Sequence, residues 1–221
     1  MFESSPAAPS LAASGATAES RRKYQRIAPV YDLLDAVYER SWKARLRHAA
    51  FAGLTGRVLD AGAGTGCNIP AYPAGALVTA VDLSPAMLDR ARRRAERLGR
   101  AVSFREADLT ATGLPAGSFD AAVATFVFCV VPEDAQGPAW AELARLVRPG
   151  GEIRVLDYAR SRKPLARAWE DLMAPWLNFA FAARYTAAYD RHAVAAGLEP
   201  VEDRFVVGDV VRFLRFRVPG G

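Results

Sequence analysis

Sulfur and imidazole are scarce in this chain: two cysteines, Cys67 and Cys129, and two histidines, His48 and His192, occur among 221 residues. That excludes a disulfide scaffold and every cysteine-rich zinc fold, and it leaves too little imidazole for a histidine-built metal centre, so no metal is expected. Long apolar runs are missing as well. The longest uncharged stretch, Ala61–Val81, is broken by Gly62, Gly64, Gly66, Pro70, Pro73 and Gly75, whereas a spanning helix needs about 20 mainly apolar residues that stay helical. The first residues, Met1–Glu19, are rich in Ala, Ser and Pro and lack the basic start and leucine-rich centre of a signal peptide. They read as a disordered tail over residues 1–20, and the expected location is cytoplasmic, with peripheral attachment at the inner membrane face as its extension. Lysine is rare: Lys23, Lys43 and Lys163 are the only three among 29 basic residues. Because arginine codons can be GC-rich, that skew reports base composition as much as function. What remains is a globular composition, 51% hydrophobic and 24% charged with a net charge of +5, able to bury one core.

Residues 21–54 read as an N-terminal helical cap interrupted near Pro29. From Trp42 the apolar positions Trp42, Leu46, Ala49 and Ala50 recur at helical spacing, while Arg40, Lys43 and Arg47 make a basic stripe on another face. From Gly56 onward strands alternate with helices. Arg57–Ala61 and Leu77–Val81 are apolar strands; Ser84 caps a helix with Pro85 at its first position, running to Gly99. A third strand begins at Val102–Phe104 and a fourth is Phe119–Thr125. A helix over Glu133–Val147 closes at Pro149-Gly150-Gly151, and Glu152–Asp157 is a fifth strand. After a helical insertion over residues 164–196, broken at Pro175, Pro200–Val207 and Val210–Val218 form a closely linked antiparallel pair. The fold class expected is α/β: a doubly wound, seven-stranded, mostly parallel sheet with a C-terminal antiparallel hairpin, making one domain over residues 21–221.

The first strand runs into Asp60-Ala61-Gly62-Ala63-Gly64-Thr65-Gly66-Cys67-Asn68. A glycine-rich turn between a strand and a helix lets a ligand approach the backbone amides. The spacing is G-x-G-x-G rather than the dinucleotide G-x-G-x-x-G, and the Gly-Lys-Ser/Thr of a phosphate loop is absent. The turn therefore suits a nucleoside-like ligand without phosphates. Asp82 ends the second strand, 22 positions after Asp60, where an acid can accept bonds from both ribose hydroxyls. Asp108 follows the third strand, where a carboxylate can take the exocyclic amine of an adenine. All three acids fall at carboxyl ends of parallel strands, where open α/β sheets bind ligands.

In order along the chain, VLDAGAGTGCN, TAVDLSPAML, EADL, FDAAVATFVF and LVRPGGEIRVLD resemble the successive motifs of class I S-adenosylmethionine-dependent methyltransferases, over Arg57 to Asp157. The resemblance implies S-adenosyl-L-methionine as cofactor and S-adenosyl-L-homocysteine as product. It implies that Gly62, Gly64 and Gly66 pass the methionine moiety, with Asn68 in the same turn. Asp60 would hold the methionine amino group directly or through water, Asp82 and the adjacent Leu83 the ribose, Asp108 and the Leu109 amide the adenine. Thr125 would offer its carbonyl to the amino group.

The acceptor is a small molecule or lipid on this reading, because the Asn/Asp-Pro-Pro-Tyr/Phe element of nucleobase-amine methylases is replaced here by Thr125-Phe126-Val127-Phe128. Cys129 lacks the Pro-Cys setting of cytosine-carbon methylases and reads as a buried core thiol. No nucleic acid partner is expected. The segment Tyr24-Gln25-Arg26-Ile27-Ala28-Pro29-Val30-Tyr31-Asp32 resembles the cofactor-covering helix of bacterial phosphatidylethanolamine N-methyltransferases and quinone C-methyltransferases. That resemblance implies Tyr24 and Tyr31 as groups facing the transferred methyl; Tyr185 and Tyr189, one turn apart, are second candidates. The stripe Arg40, Lys43 and Arg47 suits an anionic membrane surface, as does the series Leu165, Trp169, Leu172 and Trp176 with Phe179 and Phe181 beyond. Methylation of phosphatidylethanolamine toward phosphatidylcholine is the leading expectation. A quinone C-methyltransferase or a thiol or small-molecule methyltransferase is the alternative, and a non-enzymatic binding module ranks last.

Overall fold

The computed structural model describes residues 42–161, 163–165, 167–168, 171–172 and 189–220. The expected tail, Tyr24, Tyr31, Arg40, Tyr185 and most of the 164–196 insertion, including Trp169, Trp176, Phe179 and Phe181, lie outside them. The described elements are α1 (Ala44–Phe51), β1 (Arg57–Ala61), β2 (Leu77–Asp82), α2 (Pro85–Arg97), β3 (Ser103–Glu106), β4 (Phe119–Thr125), α3 (Glu133–Leu146), β5 (Val147–Tyr158), α4 (Asp190–Ala195), β6 (Glu199–Val207) and β7 (Val211–Arg217). The seven strands lie in the order β3-β2-β1-β4-β5-β7-β6. β1 to β5 are mutually parallel, and β7 inserts antiparallel between β5 and β6. The expected sheet is therefore present, with its reversal of strand order between β1 and β4.

Each central strand buries both faces, so the sheet divides two apolar cores. Leu59, Ala122, Ile153 and Leu214 pack against Trp140 and Leu143 of α3 and Ala193 of α4. Val58, Val123, Leu156 and Phe213 pack against Ala50 and Phe51 of α1 and Ala91 and Ala95 of α2. Phe128 stacks between Trp140 and Tyr189, with centroids 4.7 and 5.7 Å away. Ser84 Oγ accepts from the Met87 amide at 3.4 Å, so α2 starts where its Ser-Pro signal places it.

Three expectations need correction. The glycine-rich turn does not lead into an α-helix; consecutive turns end in a single 3₁₀ turn, Ile69–Ala71, because Pro70 and Pro73 deny the donors an α-helix needs. Pro149-Gly150-Gly151 does not stop α3, which ends at Leu146; Val147 already pairs with Phe119, and the Pro-Gly-Gly lies in an irregular stretch of β5. A Cβ on Gly151 would sit 2.6 Å from the Asp120 carbonyl oxygen, so only glycine fits there. In α1 the inward face is shifted: Ala50 is buried and Trp42 and Leu46 pack against the core as expected, but Lys43 and Arg47 are buried too while Ala49 is exposed. The i, i+4, i+7, i+8 face of Lys43, Arg47, Ala50 and Phe51 turns inward because Arg47 finds hydrogen-bond acceptors beneath it. The expected basic surface stripe is thus not a surface among the described residues.

Candidate cofactor and acceptor site

A cavity of about 170 Å³ opens at the carboxyl ends of the parallel strands, at the reversal between β1 and β4. Gly62, Gly64, Asp82, Leu83, Asp108, Leu109 and Thr125, all named from the sequence, line it together. Asp60, Gly66 and Asn68 do not; they stand behind its wall.

Gly64 is the point of open approach. Its φ is +54°, and a Cβ there would meet no heavy atom within 4 Å, so the missing side chain leaves space facing the cavity. Gly62 serves packing instead: its Cβ would lie 2.5 Å from Val127 Cγ2. The Gly64 amide donates to Asp82 Oδ2 at 2.8 Å and the Ser84 amide to Asp82 Oδ1 at 2.9 Å. Each carboxylate oxygen keeps a lone pair, which is what two vicinal hydroxyls require. Burial raises the Asp82 pKa, and its backbone hydrogen bonds oppose the rise. Asp108 Oδ1 accepts from both the amide and the hydroxyl of Thr110, at 2.9 and 2.8 Å. No partner among the described residues reaches its Oδ2.

Behind this wall lies a closed polar network. Asp60, with no exposed surface, accepts from Tyr72 Oη at 2.5 Å and Asn68 Nδ2 at 2.8 Å. Arg47 Nη1 donates to Asn68 Oδ1 at 2.7 Å and to Thr125 Oγ1 at 2.5 Å, and Thr125 Oγ1 donates to Asn68 Oδ1 at 2.9 Å. Desolvation lifts the Asp60 pKa to about 6, against those hydrogen bonds and the charge of Arg47. Arg47 also lines the cavity, so it is the cation suited to a carboxylate such as that of a bound amino acid.

The opposite wall is the turn after β4. Phe126 has φ +56°, the one positive value among described non-glycine residues. Asp157, fully buried at the end of β5, holds that turn: its Oδ2 accepts from the amides of Val127, Phe128 and Cys129 at 2.9, 2.7 and 3.3 Å, and Oδ1 from Tyr158 at 2.7 Å. Burial raises the Asp157 pKa to about 6 and pushes the Cys129 thiol well above its ordinary value. The Phe126 ring so placed packs against Tyr158 at 5.1 Å and edge-on to Trp42 at 6.2 Å. Lys43 Nζ and Arg47 Cζ stand 5.1 and 5.0 Å from its centroid.

Of the four tyrosines named from sequence, Tyr24, Tyr31 and Tyr185 lie outside the described residues. Tyr189 is a core residue: it is buried against Phe128, lines no part of the cavity, and its hydroxyl has no hydrogen-bond partner among the described residues. Cys129 is the buried thiol expected. Sequence reasoning missed Arg47 as a site residue, and Tyr72, Phe126 and Asp157 altogether. Asp157 carried a usable signal, since like Asp60 and Asp82 it is an acid closing an apolar strand; Arg47 did not, because two helix phases fitted α1.

Residues 58–151 match the family described as "Methyltransferase domain". The chain is 35% identical over 201 residues to a phosphatidylethanolamine N-methyltransferase of Cereibacter sphaeroides, covering 89% of this chain and 96% of that one. It is 36% identical over 142 residues to a demethylmenaquinone methyltransferase of Thermus thermophilus, covering 61% and 64%. Among solved structures, the [4+2]-cyclase SpnF superposes with a TM-score of 0.70 at 18% identity, over 91% of this chain and 97% of that one; this likeness is one of fold alone.

Proposed function

Because the chain belongs to the class I S-adenosylmethionine-dependent methyltransferases, we propose that it transfers methyl groups to the amine of phosphatidylethanolamine and of its methylated derivatives. S-adenosylmethionine, when bound, supplies a methyl group on an already activated sulfonium. The residues present fit that ligand: open space at Gly64, a carboxylate with spare lone pairs at Asp82, and a buried cation at Arg47. Asp108 and the Leu109 amide are placed for the base edge. The chain's own contribution is then orientation, which is worth about 7–11 kcal/mol in well-aligned reactions.

The observation that carries the lipid reading is the match over 96% of the length of a phosphatidylethanolamine N-methyltransferase. The site is compatible with it. Phe126 and Thr125 line the cavity, so the acceptor meets an aromatic wall there. Tyr24 and Tyr31 remain the groups assigned to orient the amine, with Tyr185 as the second candidate. A second reading, C-methylation of a quinol, draws on the demethylmenaquinone relative. Purified protein incubated with S-adenosylmethionine and phosphatidylethanolamine vesicles should yield mono-, di- and trimethylated lipid by mass spectrometry. Unchanged lipid alongside a methylated quinol would replace the first reading with the second.

A further inference from the structure

One stretch of the described structure carries a dense run of arginine. Residues 90–105 hold seven arginines (Arg90, Arg92, Arg93, Arg94, Arg97, Arg100 and Arg105) against the single acid Glu96. That segment alone exceeds the whole chain's net charge of +5, and everything else is net negative by one. A base-composition preference for arginine would spread the residues along the chain; it does not cluster them.

The structure arranges the cluster as a surface. Met87, Leu88, Ala91 and Ala95 turn the apolar face of α2 into the core, which leaves Arg90, Arg93, Arg94 and Arg97 at i, i+3, i+4 and i+7 as one stripe lining a common shallow groove. Like charges at these spacings oppose one another in an isolated helix. Arg92 is engaged elsewhere, 2.7 Å from Asp89 and over the Phe104 ring at 5.6 Å. Arg93, Arg97, Arg100 and Arg105 are exposed. The neighbouring sheet edge is the short strand β3, whose Phe104 packs on the α2 side beneath Arg92. One large apolar side chain borders the stripe: Leu98, directly after Arg97 at the end of α2, is 48% exposed.

We infer that the exposed face of α2 is a docking surface for an anionic lipid bilayer, with the arginines on lipid phosphates and Leu98 set among the headgroups. Guanidinium groups pair with phosphate oxygens in bidentate fashion, and an apolar residue beside a cationic face is the composition of an interfacial element. The exposed Leu98 favours a bilayer over a nucleic acid, whose backbone offers it nothing. The helix also adjoins the cavity: Arg94 Nη1 donates to Cys67 Sγ at 2.9 Å, and Cys67 and Met87 both line the cavity wall. This surface replaces the stripe on α1, whose Lys43 and Arg47 are buried. The inference deepens the lipid-acceptor reading by naming where the lipid surface sits.

The test is co-sedimentation of the full chain, without methyl donor, with vesicles of phosphatidylcholine alone or mixed with phosphatidylglycerol. Binding should require the anionic lipid and fall steeply as salt is raised, since the screening length drops from about 10 Å at 0.1 M to about 3 Å at 1 M. Each arginine near such a surface is worth about fivefold in partitioning, so Arg93→Ala with Arg97→Ala should lose about 25-fold. Arg204→Ala, on the opposite edge strand β6, should lose nothing. Leu98→Ser should weaken binding at every salt concentration. Unchanged calorimetric binding of S-adenosylmethionine by the double arginine variant shows that it is folded. Equal sedimentation with neutral and anionic vesicles overturns the inference, as does wild-type binding by the double variant, or a duplex DNA probe bound through these arginines while vesicles are not. Vesicle binding without methylation of phosphatidylethanolamine leaves the docking surface standing and retires the acceptor. Methylation of that lipid in neutral micelles, with no anionic preference in vesicles, does the reverse.

Discussion

Replacing Asp157 by Asn should produce a stability difference that depends on pH. The carboxyl is fully buried and its pKa stands at about 6, against about 3.9 in an unfolded chain. The folded protein therefore holds the proton more tightly than the unfolded one. Stability is not reduced by this group below pH about 4, declines as pH rises toward 6, and stays reduced above it. Two pKa units correspond to about 3 kcal/mol at neutral pH. Asparagine keeps the shape but does not titrate. It offers one acceptor oxygen, best placed for the three amides of Val127, Phe128 and Cys129, and turns its NH₂ toward the Tyr158 amide. That donor facing a donor costs about 1–3 kcal/mol at every pH. The variant should thus be less stable than wild type at pH 4 and equal or more stable at pH 7. Cys129, Tyr189 and Arg212 surround the carboxylate, and Asp60 titrates in the same direction while Asp120 and Glu142 titrate oppositely. Taking the difference between the two proteins at each pH cancels their common part. Urea unfolding followed by circular dichroism from pH 4 to 8 reads it, and a gap constant across that range would refute the reasoning.

Three further outcomes follow from the cavity. Asp82→Ala removes a carboxylate that orders the Gly64 and Ser84 amides and should weaken S-adenosylmethionine binding by about 1.5–3 kcal/mol, measured by calorimetry on the folded variant. Gly64→Val should abolish that binding, its side chain entering the open space at the cavity; the φ of +54° strains the new side chain and should lower the melting temperature, and retained affinity in the folded variant would move the ligand away from this turn. Arg47→Gln should weaken cofactor binding at least tenfold, because glutamine carries no charge, and should also lower the melting temperature, because the buried Asn68 and Thr125 oxygens lose a donor and Asp60 loses a nearby cation.

The sheet was legible because its strands are short apolar runs closed by acids. Arg57–Ala61 and Phe119–Thr125 appear with the bounds their sequence predicts, and Ser84-Pro85 marks the start of α2. The acids at carboxyl ends of strands pointed to the cavity for the same reason: parallel topology gathers those ends. What stayed hidden depends on the phase and depth of single side chains. Periodicity cannot say which face of α1 turns inward when cations and apolar residues share it, so Arg47 was assigned to the surface although it belongs to the site. Asp60 was read as holding the methionine amino group directly or through water; it lies behind the wall, bonded to Tyr72 and Asn68, a contact between residues 60, 68 and 72 that no spacing rule encodes. Phe126 gave no signal, because its left-handed backbone exists only through the Asp157 carboxylate 31 positions later.

Methyl transfer to a phospholipid amine is most directly tested by competition. Purified protein, methyl-labelled S-adenosylmethionine, and equal amounts of phosphatidylethanolamine and a reduced demethylmenaquinone, dispersed together in neutral detergent micelles, are separated by chromatography after reaction. The account predicts label in the methylated phosphatidylethanolamines and, with time, in phosphatidylcholine. Label confined to the quinone, or absent from both lipids, would contradict it.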